Sequence, residues 1–205
     1  MRAQFQLMGI LLLSSVPAFA QESRHFIIQP ENSTFTIKVG RGGFLKVFGH
    51  DHVVEVRRFG GEVNWRPEAP ESSDVLVDIE SASLTVADPD VKVRERAEIQ
   101  SEMESKVLEV ERYPEIRFMS TRLELDEGRK GELVGRVKGE LTLHGVTLDI
   151  EIPVRLVVSE TELRAWGRFK LKGSRFGIRQ IRAAGGTVKT KDELELSFDL
   201  VGERR

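Results

Sequence analysis

The sequence predicts an all-β protein of about eight strands with one inserted α-helix, either a sandwich or, as we expect, a closed antiparallel barrel. Three observations predict this fold. Apolar and polar residues alternate with a period of two along most of the chain, and turn-forming residues separate the alternating segments. One segment instead has apolar residues at helical spacing. No linker or repeat interrupts the chain, so we expect a single domain over residues 21–205.

The first 20 residues have the pattern of a signal peptide. Arg2 is followed by an apolar run over residues 7–13, and Ala18-Phe19-Ala20 places small residues where a signal peptidase cuts. The run is shorter than the roughly 20 residues that a membrane span needs. We therefore expect cleavage after Ala20, a mature chain that begins at Gln21, and a periplasmic or secreted protein.

The composition excludes several classes of function. Lys and Arg number 31 against 33 Asp and Glu, a balance that argues against nucleic-acid binding. The chain has no cysteine, which excludes thiol catalysis, cysteine-ligated zinc and iron–sulfur clusters. It also lacks the Gly-x-Ser-x-Gly, P-loop and dinucleotide-binding motifs. We expect no enzymatic activity and no cofactor.

The strands follow in order along the chain. In the first half, alternation predicts strands near residues 25–29, 35–39, 44–49, 53–65 and 75–79. In the second half it predicts strands near residues 116–125, 133–143, 146–158, 163–171 and 194–200. Pro153 lacks an N–H group, so its strand should have a bulge or a free edge at that point.

The segment with helical spacing of apolar residues lies between these two groups of strands. Asp88 and Pro89 are suited to the N-cap and first position of a helix. Apolar residues then recur at spacings of four, four and three, at Ile99, Met103, Val107 and Val110. Tyr113-Pro114 should end the helix. We expect a helix from about Pro89 to Glu111 whose apolar stripe either seals the barrel or docks against a second copy in a homodimer.

Small residues on inward-facing positions favour a ligand cavity. Gly135 and Gly139 share the apolar face of their strand, and Ala165 and Gly167 do the same on a later strand. An eight-stranded barrel has a lumen that side chains can fill or that can hold one small ligand. The alternative is that the glycines ease strand bending at barrel corners. The predicted lining is Leu133, Gly135, Val137, Gly139, Leu141, Ile150, Ile152, Val154, Leu163, Gly167 and Phe169.

Four stretches of sequence together resemble a known family. They are Gly49-His50-Asp51-His52 with the Phe59-Gly60-Gly61-Glu62-Val63 that follows, and residues 112–121, 139–147 and 174–178. In order and spacing they resemble the YceI-like proteins, which are exported lipocalin-like barrels associated with the binding of polyisoprenoids and similar lipids. The resemblance implies non-enzymatic binding, and hence sequestration or carriage, of a long apolar ligand such as an isoprenoid.

A basic, glycine-containing segment follows the strand near 163–171. Residues 168–191 carry eight Lys and Arg residues and no acid. Arg175, Arg179 and Arg182 lie among glycines there and are suited to holding a diphosphate or another anionic head group. The alternatives are peripheral contact with an anionic membrane surface and a plain solvated loop.

The histidines offer an alternative function. His50 and His52 are two residues apart and would share one face of a strand. With His144 they could bind zinc or copper through imidazole nitrogens, although nothing in the sequence brings His144 to the pair. We expect no metal site, with a corner at 49–52 and a turn at His144. The other functions left open are a histidine-based metal-binding protein and a stress or structural protein with a packed barrel.

Overall fold

The computed structural model describes residues 22–43, 52–180, 182–183 and 188–205. The first half of this part contains strands β1 (Arg24–Ile28), β2 (Thr34–Gly43), β3 (His52–Val56), β4 (Phe59–Trp65), β5 (Asp74–Glu80) and β6 (Leu84–Val86). One α-helix, α1 (Val93–Glu102), comes next. The second half contains β7 (Glu115–Glu127), β8 (Leu133–Leu143), β9 (Val146–Val158), β10 (Glu162–Lys172), β11 (Arg182–Ala183) and β12 (Val188–Arg204).

Eight of these strands close into an antiparallel barrel. The order is β1, β4, β5, β7, β8, β9, β10 and β12, and β12 pairs with β1 through Ile28 and Gly202 to complete the ring. The registers place apolar inward residues beside each other, as at Val137 and Ile152. The predicted barrel of about eight strands with one inserted helix is therefore confirmed.

One end of the barrel has an additional wall. The last part of β12 pairs with β1, whereas its first part pairs with β2, which in turn pairs with β3 and β3 with β6. The side-chain amide of Gln100 forms hydrogen bonds with the backbone edge of β6 that does not pair with β3. It accepts a hydrogen bond from the Val86 N–H and donates one to the Leu84 carbonyl, both at 2.8 Å. Helix α1 is thereby attached to the last strand of this wall. We call this end of the barrel the mouth.

The helix is shorter than its sequence predicts. It begins at Val93 rather than Pro89, and a π-helical turn, Met103–Val107, follows it. Asp88 does not cap the helix because its carboxylate accepts the Val53 N–H at 2.6 Å and contacts the His52 ring. Local capping preference is here overridden by a contact with a strand that is distant in sequence.

The apolar stripe of the helical segment packs against the barrel. Met103 is buried, and Ile99 and Val110 pack against the hydrophobic core. The structure therefore shows the packing against the barrel that the sequence predicts for this stripe. No helix in the described ranges combines the length and apolar character needed to cross a membrane.

The inward glycines do not open the lumen, contrary to the sequence prediction. A Cβ atom on Gly135 would lie 1.9 Å from the Glu124 carbonyl oxygen. On Gly139 and Gly167 it would lie 2.3 Å from the carbonyl oxygens of the neighbouring strands. These glycines allow adjacent strands to approach closely, which agrees with the alternative that they serve strand bending.

Strands β9 and β10 diverge towards the mouth. Their register runs from Leu163 and Val158 to Trp166 and Arg155. Pro153 lies just beyond this last pair and pairs with Arg136 of β8 in the described register, while its carbonyl is the one that approaches Gly167 of β10. The 3-10 turn Gly173–Phe176 contacts β9 beside this gap, and its Phe176 is 1% exposed.

Candidate ligand-binding site

The barrel encloses an apolar cavity of about 190 Å³, which we call the lumen. Aromatic side chains form part of its wall, including Trp65 and Phe118, and the ring centroids of Phe35 and Phe198 are 6.3 Å apart. Among the described residues that line the lumen, none has a charged side chain. The wall can exclude water from an apolar molecule but offers almost no polar group for its recognition.

Seven of the eleven residues predicted from the sequence line the lumen. They are Val137, Leu141, Ile150, Ile152, Val154, Leu163 and Phe169. Leu133, Gly135, Gly139 and Gly167 are not among the lining residues, although Leu133 packs against the core. The prediction missed the contribution of the first half of the chain, such as Ile28, Phe35 and Val63. The alternation in β1, β2 and β4 was the signal that could have identified them.

A second cavity, of about 120 Å³, adjoins the lumen at the mouth, and we call it the mouth cavity. Both cavities are lined in part by the same residues, namely Ile37, Leu84, Leu108, Ile178 and Leu194. The mouth cavity also has a polar lining, formed by His52, Arg179, Gln180, Thr190, Lys191 and Asp192. The site therefore changes from wholly apolar to mixed polar and apolar towards one end.

The three arginines predicted to hold a head group lie in different places. Arg179 lines the mouth cavity. Arg175 is exposed on the turn Gly173–Phe176 and lines neither cavity, so its predicted place in the site is corrected. Arg182 belongs to β11, whose backbone pairs it with Lys189, and its side chain lies outside the described part. Lys191 is the other described cation of the mouth cavity.

Asp192 of β12 forms hydrogen bonds to the turn Gly173–Phe176 in the basic segment. The Asp192 carboxylate accepts hydrogen bonds from the Ser174 hydroxyl at 2.7 Å and from the Ser174 N–H at 2.8 Å. The hydroxyl, followed by the N–H, lowers the pKa of Asp192 from its ordinary value. Asp192 lies where β12 shifts register between Thr190 and Leu194, and there it contacts Ser174 in the turn Gly173–Phe176.

His52 and His144 each pair with a different carboxylate. The Nδ1 atom of His52 is 2.6 Å from Asp88 Oδ2, before the helix. The Nε2 atom of His144 is 3.2 Å from Glu109 Oε1, after the helix. His50, the third residue of the metal hypothesis, lies outside the described residues. These contacts place His52 and His144 at opposite ends of the helical segment and give no support to a shared metal site.

Three of the four stretches that carried the family resemblance, residues 112–121, 139–147 and 174–178, contact one another at the mouth. The rings of Tyr113 and His144 are 4.2 Å apart, and both Glu109 and His144 have positive φ angles. A Cβ atom on Gly145 would lie 2.5 Å from Tyr113, and Gly177 has a φ of 75° beside His144. The last turn of the helical segment, the β8–β9 hairpin and the turn Gly173–Phe176 therefore form one packed rim.

The closed barrel and its two cavities define the class of the protein. A closed eight-stranded antiparallel barrel with an apolar lumen and a polar mouth belongs to the lipocalin-like barrels. The YceI-like domain model matches residues 26–202, and the chain belongs to that family.

Relatives and solved structures agree with this assignment. A UPF0312 protein of Pseudomonas putida strain W619 is 30% identical over 208 residues, which cover 96% of this chain and 95% of the relative. Burkholderia cenocepacia BcnA has a similar fold, with a TM-score of 0.64 and 17% identity over 85% of this chain and 98% of its own. A polyisoprenoid binding domain from Saccharophagus degradans has a TM-score of 0.62 and 13% identity, over 88% of this chain and 98% of its own.

Proposed function

We propose that this protein binds a long apolar molecule, an isoprenoid or a similar lipid, in the lumen, and sequesters or carries it without changing it chemically. The observation that carries the proposal is a lumen with no charged side chain among its described lining residues, adjoining a mouth cavity whose lining includes polar and charged side chains. The description of a structural neighbour as a polyisoprenoid binding domain supports the same ligand class.

Burial alone can supply the affinity that such a ligand needs. Each methylene removed from water contributes about 0.8 kcal/mol. Ten of them would contribute about 8 kcal/mol, which corresponds to a dissociation constant of about 1 μM before the entropic cost of association is counted. A chain-like ligand therefore needs few polar contacts, and those few can lie in the mouth cavity at Arg179 and Lys191.

We also propose that the protein acts after export, in the periplasm or outside the cell. The support is the signal-peptide pattern that ends at Ala20. A water-soluble barrel that hides an apolar chain would allow such a molecule to exist in an aqueous compartment where it would otherwise aggregate or insert into a membrane.

Filling the lumen tests the proposal. Ala165 on β10 lines the lumen and is only half-buried, so Ala165→Leu should occupy space that the ligand needs. Arg168→Leu is a matched control because Arg168 lies on the same strand, is exposed and lines neither cavity. We expect geranylgeraniol to bind the wild type and Arg168→Leu equally, and Ala165→Leu at least tenfold more weakly. Equal binding by all three proteins, or binding by none, would contradict the proposal.

A further inference from the structure

His52 lies at the mouth cavity with one edge of its ring fixed by a buried carboxylate. Asp88 Oδ2 is 2.6 Å from His52 Nδ1, and Asp88 Oδ1 accepts the Val53 N–H at the same distance. Asp88 is 4% exposed, whereas the side chain of His52 is 23% exposed. Arg96 donates hydrogen bonds to the backbone carbonyls of Asp88 and Val91 and so fixes the loop that carries the carboxylate.

This contact determines which nitrogen of the neutral ring carries the proton. A carboxylate only accepts hydrogen bonds, so the ring must donate to it from Nδ1. In the neutral imidazole the other nitrogen, Nε2, then has a lone pair and is an acceptor. Because Nδ1 faces Asp88 and the His52 ring lines the mouth cavity, Nε2 is the ring nitrogen left to accept a hydrogen bond at this cavity.

We propose that His52 accepts a hydrogen bond from a hydroxyl at the end of the bound molecule, and that the mouth thereby selects alcohols or phenols over molecules that cannot donate. The inference rests on the proposed function of the lumen and extends it to the head group. Asp88 is the positioning residue, because it holds the ring in the accepting tautomer.

The two cationic residues of the mouth cavity favour the same head group. A hydroxyl both donates and accepts, and Arg179 and Lys191 line the same cavity and offer only donors. A hydroxyl that donates to His52 still has an oxygen that can accept a hydrogen bond from a cation. An ether with the same chain can accept from the cation but cannot donate to the histidine.

The test compares geranylgeraniol with its methyl ether at pH 8. One hydrogen bond is worth about 1 kcal/mol, so the wild type should bind the alcohol about fivefold more tightly than the ether. Equal affinities would overturn the role of His52 and leave the proposed function intact. Failure of both molecules to bind would contradict the proposed function and, with it, this inference.

Asp88→Asn separates positioning from general stability. The side-chain carbonyl of the introduced asparagine can still accept the Val53 N–H, but its amide nitrogen must donate to His52 Nδ1 and would move the ring proton to Nε2. The preference for the alcohol should then fall to about one. The matched control is His144→Asn, because His144 lines neither cavity. This variant should still bind the alcohol about fivefold more tightly than the ether. An Asp88→Asn variant that keeps the fivefold preference would overturn the inference.

A spectroscopic measurement on the wild type needs no variant. Nitrogen-15 spectra of the histidine rings distinguish the two neutral tautomers. We expect His52 to carry its proton on Nδ1, and its Nε2 resonance to shift on addition of geranylgeraniol but much less on addition of the ether. Protonation on Nε2 in the neutral ring, or equal shifts with both molecules, would overturn the inference.

Discussion

At the residue scale, position distinguishes two arginines that are only four residues apart. Both arginines are exposed, but Arg179 lines the mouth cavity, whereas Arg175 lines neither cavity. If Arg179 contributes to head-group binding, Arg179→Glu should weaken the binding of geranylgeranyl diphosphate about tenfold more than that of geranylgeraniol. Arg175→Glu is the control and should change neither affinity by more than about twofold.

Salt dependence gives this prediction a second readout. Exposed charges are screened over about 10 Å at 0.1 M ionic strength. The effect of Arg179→Glu on the diphosphate should therefore shrink when the titration is repeated in 0.5 M salt. Equal losses for the diphosphate and the alcohol would show that Arg179 acts through structure and would contradict its assignment to a head group.

The glycines of the barrel wall give a residue-scale prediction about stability. A Cβ atom on Gly139 would lie 2.3 Å from the Met119 carbonyl oxygen and 2.7 Å from the Phe118 ring. Gly139→Ala should therefore lower the free energy of unfolding by about 1–3 kcal/mol, as overpacking does. Gly60→Ala on β4 is the control, because a Cβ atom there would meet nothing within 4 Å. Urea denaturation measures the free energy of unfolding of both variants. A Gly139→Ala variant as stable as Gly60→Ala would contradict the close strand approach at Gly139.

The sequence predicted which residues face the inside of the barrel but not what the inward glycines do. Alternation correctly assigned Val137, Leu141 and Ile152 to the inside of the barrel, because successive side chains in a strand must point to opposite faces. It could not reveal that the Glu124 carbonyl approaches Gly135. That distance depends on how the closed barrel bends its strands, which no local pattern encodes.

At the scale of elements, the helical segment depends on its apolar stripe. Met103 is buried in the core, so Met103→Asp would place a charge among apolar side chains and should lower the free energy of unfolding by several kcal/mol. Ser101→Asp on the exposed side of α1 is the control and should change it by less than about 0.5 kcal/mol. An unchanged melting temperature for Met103→Asp would mean that the helical segment does not seal the barrel.

The turn Gly173–Phe176 depends on the Asp192 carboxylate at its start. Because two hydrogen bonds from Ser174 lower the pKa of Asp192, they stabilise the fold above the ordinary pKa of 3.8. This contribution is lost as the pH falls through the lowered value, where the carboxylate becomes protonated in the folded state. Asp192→Asn should therefore lower the melting temperature at pH 7, and the difference from the wild type should narrow below about pH 4. A difference independent of pH would contradict this assignment.

The boundaries of the helix could not be predicted from local signals. Asp88-Pro89 has the residue types of a helix start, yet the Asp88 carboxylate forms hydrogen bonds with the His52 ring and the Val53 N–H of β3 instead. The positive φ of Glu109 lies two residues after the π-helical turn ends at Val107. Both deviations involve contacts with the barrel rim, since Glu109 pairs with His144 of the β8–β9 hairpin. Tertiary contacts therefore decided where the helix begins and ends.

At the scale of the whole molecule, the barrel and the wall of the lumen were largely predictable, whereas the mouth was not. Strand number, pairing and inward faces follow from the alternation of apolar residues, which must be buried on one side of each strand. The mouth is built from short segments far apart in sequence, such as His52, Asp88 and Lys191. Their proximity follows from the closure of the ring and from β12 pairing with both β1 and β2.

The most direct test of the central claim is native mass spectrometry of the protein purified gently from its natural source. We expect a polypeptide mass that corresponds to a chain beginning at Gln21, together with a noncovalent adduct whose mass is that of a long apolar molecule. The adduct should be released by organic solvent and restored by added geranylgeraniol. A folded protein that carries no adduct and takes up no geranylgeraniol would contradict the claim that the barrel is a binding site.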